Sequence, residues 1–151
     1  MTDTPTAFAL RFAPMHLRFG EPAAEAVAAE LEAMGLSRAV VLSTLGHADE
    51  ARAFAAAIGP RVTGTIPLAK MHTPVEVTEV ALAEVLALNA DSLISFGGGS
   101  TTGLGKALAL RTDLPQIAVP TTYAGSEVTA ILGQTEAGRK TPSPIRACSP
   151  R

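Results

Sequence analysis

Residues 97–100, Gly-Gly-Gly-Ser, have the types and spacing of a phosphate-binding turn. They lie between an apolar, strand-like run and a segment of helical composition, so three residues without a Cβ atom stand where a strand meets a helix. The N–H groups at a helix N-terminus carry partial positive charge and bind phosphate. We therefore predict that Gly97, Gly98, Gly99 and Ser100 hold a pyrophosphate. The alternative is an ordinary strand-to-helix turn that tolerates glycine.

Two better-known phosphate motifs do not fit this turn. The Walker pattern that would end at Gly105-Lys106 requires glycine at position 100 and a hydroxyl residue at 107, where the chain has Ser100 and Ala107. The G-x-G-x-x-G dinucleotide fingerprint fits Gly97 and Gly99 but meets Thr102 at its last position. A nucleoside triphosphatase and an ordinary dinucleotide fingerprint are therefore poor matches.

A second polar segment, residues 120–127 (PTTYAGSE), follows the next predicted strand. The carboxyl ends of parallel strands share one edge of the sheet, so the hydroxyls of Thr121 and Thr122 are predicted to lie near the glycine turn and to bind a nucleotide. The alternative is a surface loop capped by threonine and serine. Ser126 lacks the G-x-S-x-G context and no histidine follows it, so a hydrolase triad is not supported.

Few other side chains suggest chemistry. Lys106 is predicted to be a solvated residue on its helix, whereas Arg139 and Lys140, beside a turn at 136–138, are candidates to reach a phosphate or ribose. The histidines share no metal-binding spacing and are interpreted as surface or turn residues: His16, His47 and His72.

The positioning elements follow from hydrophobic periodicity. Apolar runs of strand length alternate with helical patterns, which predicts βαβ units with right-handed crossovers, a parallel sheet and helices on both of its faces. The fold class is therefore α/β, Rossmann-like. Strands are predicted at 39–42, 62–66, 93–96 and 116–119, and helices at 22–34, 49–58, 73–88 and 101–110.

Local signals add three expectations. Thr73-Pro74-Val75-Glu76 has the pattern of a capping box with Thr73 as N-cap, and Asn89 suits a left-handed helix end. At the N-terminus, the β-prone runs 7–12 and 16–19 are predicted to form a strand pair.

Composition narrows the class of protein. Apolar residues make up 47% and charged residues 17%, as in a globular domain, and a net charge of −2 without a basic cluster argues against nucleic acid as a partner. The chain has a single cysteine, Cys148, and neither a recognisable targeting segment nor an apolar run long enough to span a membrane. A cytoplasmic protein with no membrane association is expected.

The two motifs together carry a family resemblance. FGGGSTTGLGKALA followed by PTTYAGSEVTAILGQTEAGRKT closely resembles the N-terminal, cofactor-binding domain of maleylacetate reductases, in the iron-containing alcohol dehydrogenase superfamily. The resemblance covers nearly the whole chain to about Thr141. It implies that maleylacetate, a small dicarboxylate, is reduced to 3-oxoadipate by NADH or NADPH in the breakdown of aromatic compounds.

The resemblance also implies roles for individual residues. The glycine turn and Ser100 would hold the cofactor's pyrophosphate, with Thr101 adjoining; Thr121 and Thr122 would line the adenosine side, and Lys140 would approach the nicotinamide ribose. Relatives often place an aspartate after the second strand of the alternation, where this chain has Ser43-Thr44. A missing carboxylate removes repulsion against a 2'-phosphate, so Ser43 is predicted to mark a site that accepts both cofactors.

One departure from the family is expected to matter. The family's second, all-helical domain carries its metal-ligand or catalytic histidines, and we expect it to be absent here, with no catalytic residue or metal ligand in this chain. Residues 1–141 are predicted to form the NAD(P)-binding domain, and 142–151 an irregular tail of the kind that truncation or a frame shift produces. Two hypotheses follow: the cofactor-binding part of a reductase, and a nucleotide-binding fragment inactive by itself. A homodimer is a candidate assembly.

Overall fold

A four-stranded parallel sheet flanked by four helices forms the body of the protein. The computed structural model describes residues 15–20, 22–136 and 139–144, with backbone alone for 140–144. In this part of the chain no helix has the length and hydropathy needed to span a membrane. The elements are α1 (Ala23–Ala33), β1 (Ala39–Leu42), α2 (Ala48–Ile58), β2 (Val62–Ile66), α3 (Val75–Ala87), β3 (Ser92–Gly97), α4 (Gly99–Thr112) and β4 (Gln116–Pro120).

The strand order is β2-β1-β3-β4, and every neighbouring pair is parallel. From β1 the chain therefore passes to β2 on one side and later to β3 on the other. Leu42 of β1 lies beside Ser95 of β3, and Gly97 at the end of β3 lies beside Pro120. The carboxyl ends of β1 and β3 thus flank a topological switch point, the place where doubly wound sheets bind ligands.

Apolar residues cover both faces of this sheet, as predicted. Leu31 of α1 and Ala51 of α2 pack with Val41 on one face, and Leu104 of α4 packs with Val40 on the other. These residues are at most 1% exposed. Adjacent residues of β1 point to opposite faces, so a continuous apolar run is needed there. The predicted α/β, Rossmann-like class is confirmed.

The start of α3 differs from its prediction. Pro74 is the N-cap and no side chain caps the helix, so the predicted capping box at Thr73 is wrong. Thr73 instead takes a left-handed conformation, with φ 45°. Its N–H donates to the carbonyl of Lys70 at 3.2 Å, and its carbonyl accepts a bond from the Thr135 N–H at 3.4 Å. Tertiary contacts therefore determine the conformation of Thr73. At the other end of α3, Asn89 has φ 48°, as predicted.

An antiparallel hairpin follows the parallel sheet: β5 (Ile131–Glu136) and β6 (Arg139–Pro144). The sequence analysis predicted the turn but not the strands. Prolines such as those at 142 and 144 are disfavoured in the interior of a sheet. In a two-stranded sheet each strand has a free edge that tolerates them. β6 passes the proposed boundary at 141, and residues 145–151 lie outside the described part.

The N-terminal strand pair is the remaining difference. Residues 15–19 have no regular secondary structure, so the predicted strand at 16–19 is not formed; its predicted partner at 7–12 lies outside the described residues. His16 Nδ1 lies 2.8 Å from Glu30 Oε1, and Arg18 Nε lies 3.1 Å from Glu30 Oε2. A hydrogen bond from His16 and an ion pair from Arg18 to Glu30 therefore hold this segment against α1.

Candidate functional site

The glycine turn joins β3 to α4 at the switch point. Gly97 has φ 144°, a conformation that side chains disfavour, and Gly98 is the N-cap of α4. The Gly98 carbonyl accepts the first helical hydrogen bonds, from the N–H groups of Thr101 and Thr102, each at 3.1 Å. No side chain caps the helix. The amides of Gly99 and Ser100 precede those first bonds, so this helix end can bind an anion.

Close neighbours explain why this turn needs glycine. A Cβ atom at Gly97 would lie 2.7 Å from Thr101 Oγ1, and one at Gly99 would lie 3.3 Å from the Cβ of Ala124. A Cβ at Gly98 would lie 2.7 Å from Thr122 Oγ1. The 120–127 loop is therefore packed directly against the turn. The predicted proximity of the two motifs is confirmed.

Hydroxyl groups line the turn. Thr101 is fully buried, and its Oγ1 has no hydrogen-bond partner among the described residues. Buried hydroxyls are nearly always satisfied, so this atom marks a place where a ligand or water is expected to bind. Thr121 and Thr122 are exposed, and the Thr121 N–H donates to the Gly97 carbonyl at 3.1 Å. The structure thus brings four of the predicted site residues together around the glycine turn. Two belong to the start of α4 and two to the 120–127 loop: Ser100, Thr101, Thr121 and Thr122.

Ser43 follows β1 on the other side of the switch point, as expected, but it is fully buried. Its N–H donates to the Ile66 carbonyl at 3.1 Å, and its carbonyl accepts from the Ala69 N–H at 2.9 Å. The structure therefore does not bring the Ser43 side chain to an open surface. Thr44 is the partly exposed residue here, with Oγ1 2.9 Å from His47 Nδ1. Neither residue is a carboxylate.

The two basic candidates, Arg139 and Lys140, lie on the hairpin. Lys140 pairs with Thr135 across β5 and β6, and its side chain lies outside the described part of the structure. Arg139 pairs with Glu136 and is exposed. The backbone thus places Lys140 on the strand next to β5, while its approach to a ribose stays a prediction.

Lys106 is the residue that the sequence analysis missed. It was predicted to be solvated, but it is 7% exposed and its ammonium faces the segment that follows the 120–127 loop. Burial lowers the pKa of Lys106 below its ordinary 10.5, and the negative charge of Glu127 opposes this shift. A signal existed in the sequence: the segment 101–108 is otherwise free of charge, as in helices buried on all sides.

A cavity of about 260 Å³ opens beside the first turn of α4. Its walls include Ser100, Ser126, residues 131–133 of β5 and the loop with His72 and Thr73, and none of the described residues that line it is a carboxylate. His72 has φ 63° and Thr73 φ 45°, and strained backbone of this kind is often found at ligand sites. The arrangement suits a small polar or anionic group close to the glycine turn.

Fold and site together define a doubly wound, Rossmann-like α/β domain with a glycine-rich turn and an uncapped helix start at its switch point. The model of the iron-containing alcohol dehydrogenase family matches residues 14–150, and the chain belongs to this family. The match continues past Thr141, where the sequence analysis placed the end of the resemblance.

Individual relatives support the expected branch. The chain is 57% identical over 134 residues to the maleylacetate reductase of Rhizobium sp. strain MTP-10005, which covers 89% of this chain and 38% of the relative. It is 48% identical over 122 residues to the maleylacetate reductase of Burkholderia cepacia, and this match covers 81% of this chain and 35% of that protein. The predicted resemblance to maleylacetate reductases is thus confirmed. The chain spans about two fifths of the length of these relatives.

Solved structures agree. The crystal structure of maleylacetate reductase from Agrobacterium tumefaciens superposes with a TM-score of 0.90 at 50% identity, covering 96% of this chain and 41% of that one. Sulfoacetaldehyde reductase from Bifidobacterium kashiwanohense, solved in complex with NAD+, has a TM-score of 0.84 at 24% identity, covering 95% of this chain and 45% of that one. The similarity to sulfoacetaldehyde reductase shows a shared fold.

Proposed function

We propose that this chain binds NADH or NADPH and forms the cofactor-binding part of a maleylacetate reductase. The observation that carries the proposal is the uncapped start of α4 at the Gly97–Gly99 turn, placed at the switch point of the sheet. The similarity to maleylacetate reductases supports the activity. The NAD+ in the complex of the more distant sulfoacetaldehyde reductase supports the class of cofactor.

The residues of the turn would bind the pyrophosphate. The amides of Gly99 and Ser100 and the Ser100 hydroxyl would donate hydrogen bonds to its oxygens, and the partial positive charge of α4 would favour its negative charge. Thr101 Oγ1, buried and unpartnered among the described residues, is a further donor beside the turn. The lack of a Cβ atom at Gly97 and Gly98 leaves room for the side chains of Thr101 and Thr122 beside the turn.

The remaining residues would orient the two ends of the cofactor. Thr121 and Thr122 would line the adenosine side, on the surface beside β4, and Lys140 would approach the nicotinamide ribose. The segment after β1, with Ser43 and Thr44, would face the adenosine ribose without a carboxylate. This arrangement supports acceptance of both NADH and NADPH.

In the proposed reaction, a bound NADH or NADPH would supply the hydride that, together with a proton, reduces the carbon-carbon double bond of maleylacetate to give 3-oxoadipate. The contribution of this chain is to hold the cofactor beside the cavity lined by Ser100 and Ser126. Such positioning lowers the entropic cost of bringing the reacting groups together. The dicarboxylate substrate and a homodimeric assembly are part of the proposal.

The family's description implies a metal, and we test that against the side chains. In residues 15–20, 22–136 and 139–144, no three His, Cys, Asp or Glu side chains lie close enough to hold a metal ion. The described residues therefore do not fit a metal site, and no step is assigned to one.

Fluorescence titration of the 151-residue protein with NADH tests the proposal. Saturable binding is expected, and a folded protein without saturable binding would overturn it. Adding maleylacetate to the complex then tests whether this chain is active by itself. Oxidation of NADH would show that it is, whereas binding without oxidation is the result expected if catalysis needs further parts of the reductase.

A further inference from the structure

Lys106 carries a buried positive charge whose hydrogen bonds all reach one neighbouring segment. Its Nζ donates to Thr129 O at 2.7 Å, to Ile131 O at 3.0 Å and to Ser126 Oγ at 3.3 Å. An ammonium group has three N–H donors, so these three acceptors use its full capacity. The acceptors span residues 126–131, which we call the 126–131 segment. It connects the 120–127 loop to β5.

Burial of the Lys106 ammonium is unfavourable for the stability of the fold. Lys106 is 7% exposed, and a buried charge destabilises a fold unless hydrogen bonds compensate for its lost hydration. The neighbours of Lys106 on α4 are apolar and small, so an apolar side chain would suit the packing. The retained ammonium is therefore best explained by the backbone carbonyls that it holds.

Ile131 is also held by the pairing of β5 with β6, but residues 126–129 have few hydrogen bonds besides those from Lys106. In the described part of residues 122–129, the other hydrogen bonds are local: Ala124 N–H to Thr122 O at 3.0 Å, Val128 N–H to Gly125 O at 3.3 Å, and Thr129 Oγ1 to Ser126 O at 3.5 Å. Tyr123 is 96% and Val128 54% exposed, so apolar burial contributes little here. The Lys106 ammonium thus connects this loop to α4.

We propose that Lys106 is a positioning residue of the cofactor site: its ammonium fixes the 126–131 segment on α4 and so keeps Thr122 and Ala124 against Gly98 and Gly99. The inference rests on the proposed function for its effect on cofactor binding. Its effect on the loop follows from the hydrogen bonds alone. The two effects can therefore be measured separately.

The test compares Lys106→Met, which keeps the length of the side chain and removes its charge, with Lys70→Met, a matched change at an exposed lysine. Amide hydrogen exchange is measured for residues 122–131 and, as an internal reference, for β1 and β3. In Lys106→Met we expect exchange in 122–131 to accelerate by about tenfold or more while β1 and β3 keep wild-type rates. The Kd for NADH should rise by about tenfold, and Lys70→Met should match the wild type.

Two results would overturn the proposal. One is wild-type exchange in 122–131 of a folded Lys106→Met protein; the other is equal acceleration in β1 and β3, which indicates a general loss of stability. If Lys106→Met does not fold, Ser126→Ala removes one acceptor alone, and its 122–131 amides must exchange faster than wild type for the proposal to stand. Failure of the wild type to bind NADH would overturn the proposed function, while the exchange measurement would still decide the role of Lys106.

Discussion

A Cβ atom on Gly98 would lie 2.7 Å from Oγ1 of Thr122, which no real side chain contact allows without movement. The two residues come from different motifs, one at the end of β3 and one after β4. Their contact depends on the parallel pairing of β3 with β4, which brings Gly97 beside Pro120. The glycine turn and the threonine loop therefore form a single site, and a change in either is felt by the other.

Substitution of Gly98 by alanine tests this relationship. The added methyl group must displace the Thr122 hydroxyl, which belongs to an exposed side chain and can move at little cost to stability. It also fills the space in which a phosphate would approach the backbone. We expect Gly98→Ala to weaken NADH binding by about tenfold or more and Gly98→Val to abolish it, as measured by fluorescence titration.

The matched control is Gly46→Ala. A Cβ atom at Gly46 would have no atom within 4 Å, so this variant makes the same chemical change without a clash. It should bind NADH as the wild type does. Wild-type affinity in Gly98→Ala, with its fold intact by circular dichroism, would contradict the phosphate role of the turn.

Cofactor selectivity gives a second prediction. Because no carboxylate follows β1 at Ser43 or Thr44, the dissociation constants for NADH and NADPH should differ by less than about a hundredfold, or about 2.7 kcal/mol. Thr44→Asp adds a carboxylate on a partly exposed residue and should weaken NADPH relative to NADH by about tenfold. Ser43 is a poor position for this test, since a charge there would be buried. Paired titrations with both cofactors provide the measurement, and a wild type that prefers NADH by more than this limit is the contrary result.

The residues of this site show what sequence patterns can and cannot predict. The run Ala39–Leu42 predicted its strand because a parallel strand buried on both faces must be apolar throughout. The glycine turn was also predictable, because three glycines in a row between a strand and a helix indicate a close approach of a ligand to the backbone. Position along the chain could not reveal that Thr73 is tied to Thr135, or that Lys106 reaches Ile131. Those contacts depend on the hairpin of β5 and β6. Its strands were not predicted, and β6 contains two prolines, which are disfavoured in the interior of a sheet.

The titration of Lys106 gives a third prediction. Burial lowers its pKa in the folded state below 10.5, and Glu127 opposes the shift, so the unfolded chain binds the Lys106 proton more tightly than the folded one. Between the lowered pKa and 10.5 the unfolded state therefore carries more protons, and the contribution of Lys106 to stability rises with pH. Other groups titrate equally in the wild type and in Lys106→Met. The unfolding free energy of the wild type minus that of the variant, from urea titrations, should thus increase across this window.

A difference that stays flat, or falls, with rising pH would show that burial does not dominate the environment of Lys106. Glu127→Gln offers an independent check, because it removes the charge that opposes the shift. In that variant the pKa of Lys106 should fall further, and the rise in stability should begin at lower pH.

Asp91 provides a prediction about the scaffold. Its carboxylate accepts hydrogen bonds from the N–H groups of Ser37, at 2.9 Å, and Arg38, at 3.0 Å, and so joins the loop before β1 to the loop before β3. Burial of the carboxyl favours its neutral form, but these bonds, with those from Ser92 and the charge of Arg38, outweigh burial and hold the pKa of Asp91 below 3.8. Hydrogen bonds to a charged group contribute about 1.5–3 kcal/mol. We expect Asp91→Ala to lose about 2 kcal/mol in urea unfolding at neutral pH.

The pH dependence follows from the direction of that shift. A carboxyl whose pKa is lower in the folded state contributes stability that is present above 3.8 and is lost as pH falls through the folded value. The wild type should therefore lose its advantage over Asp91→Ala below that pH, where both forms are neutral at position 91. The exposed Glu84→Gln serves as the control and should follow the wild type. An advantage that persists unchanged at the lowest pH would mean that packing, and not the charge of Asp91, joins the two loops.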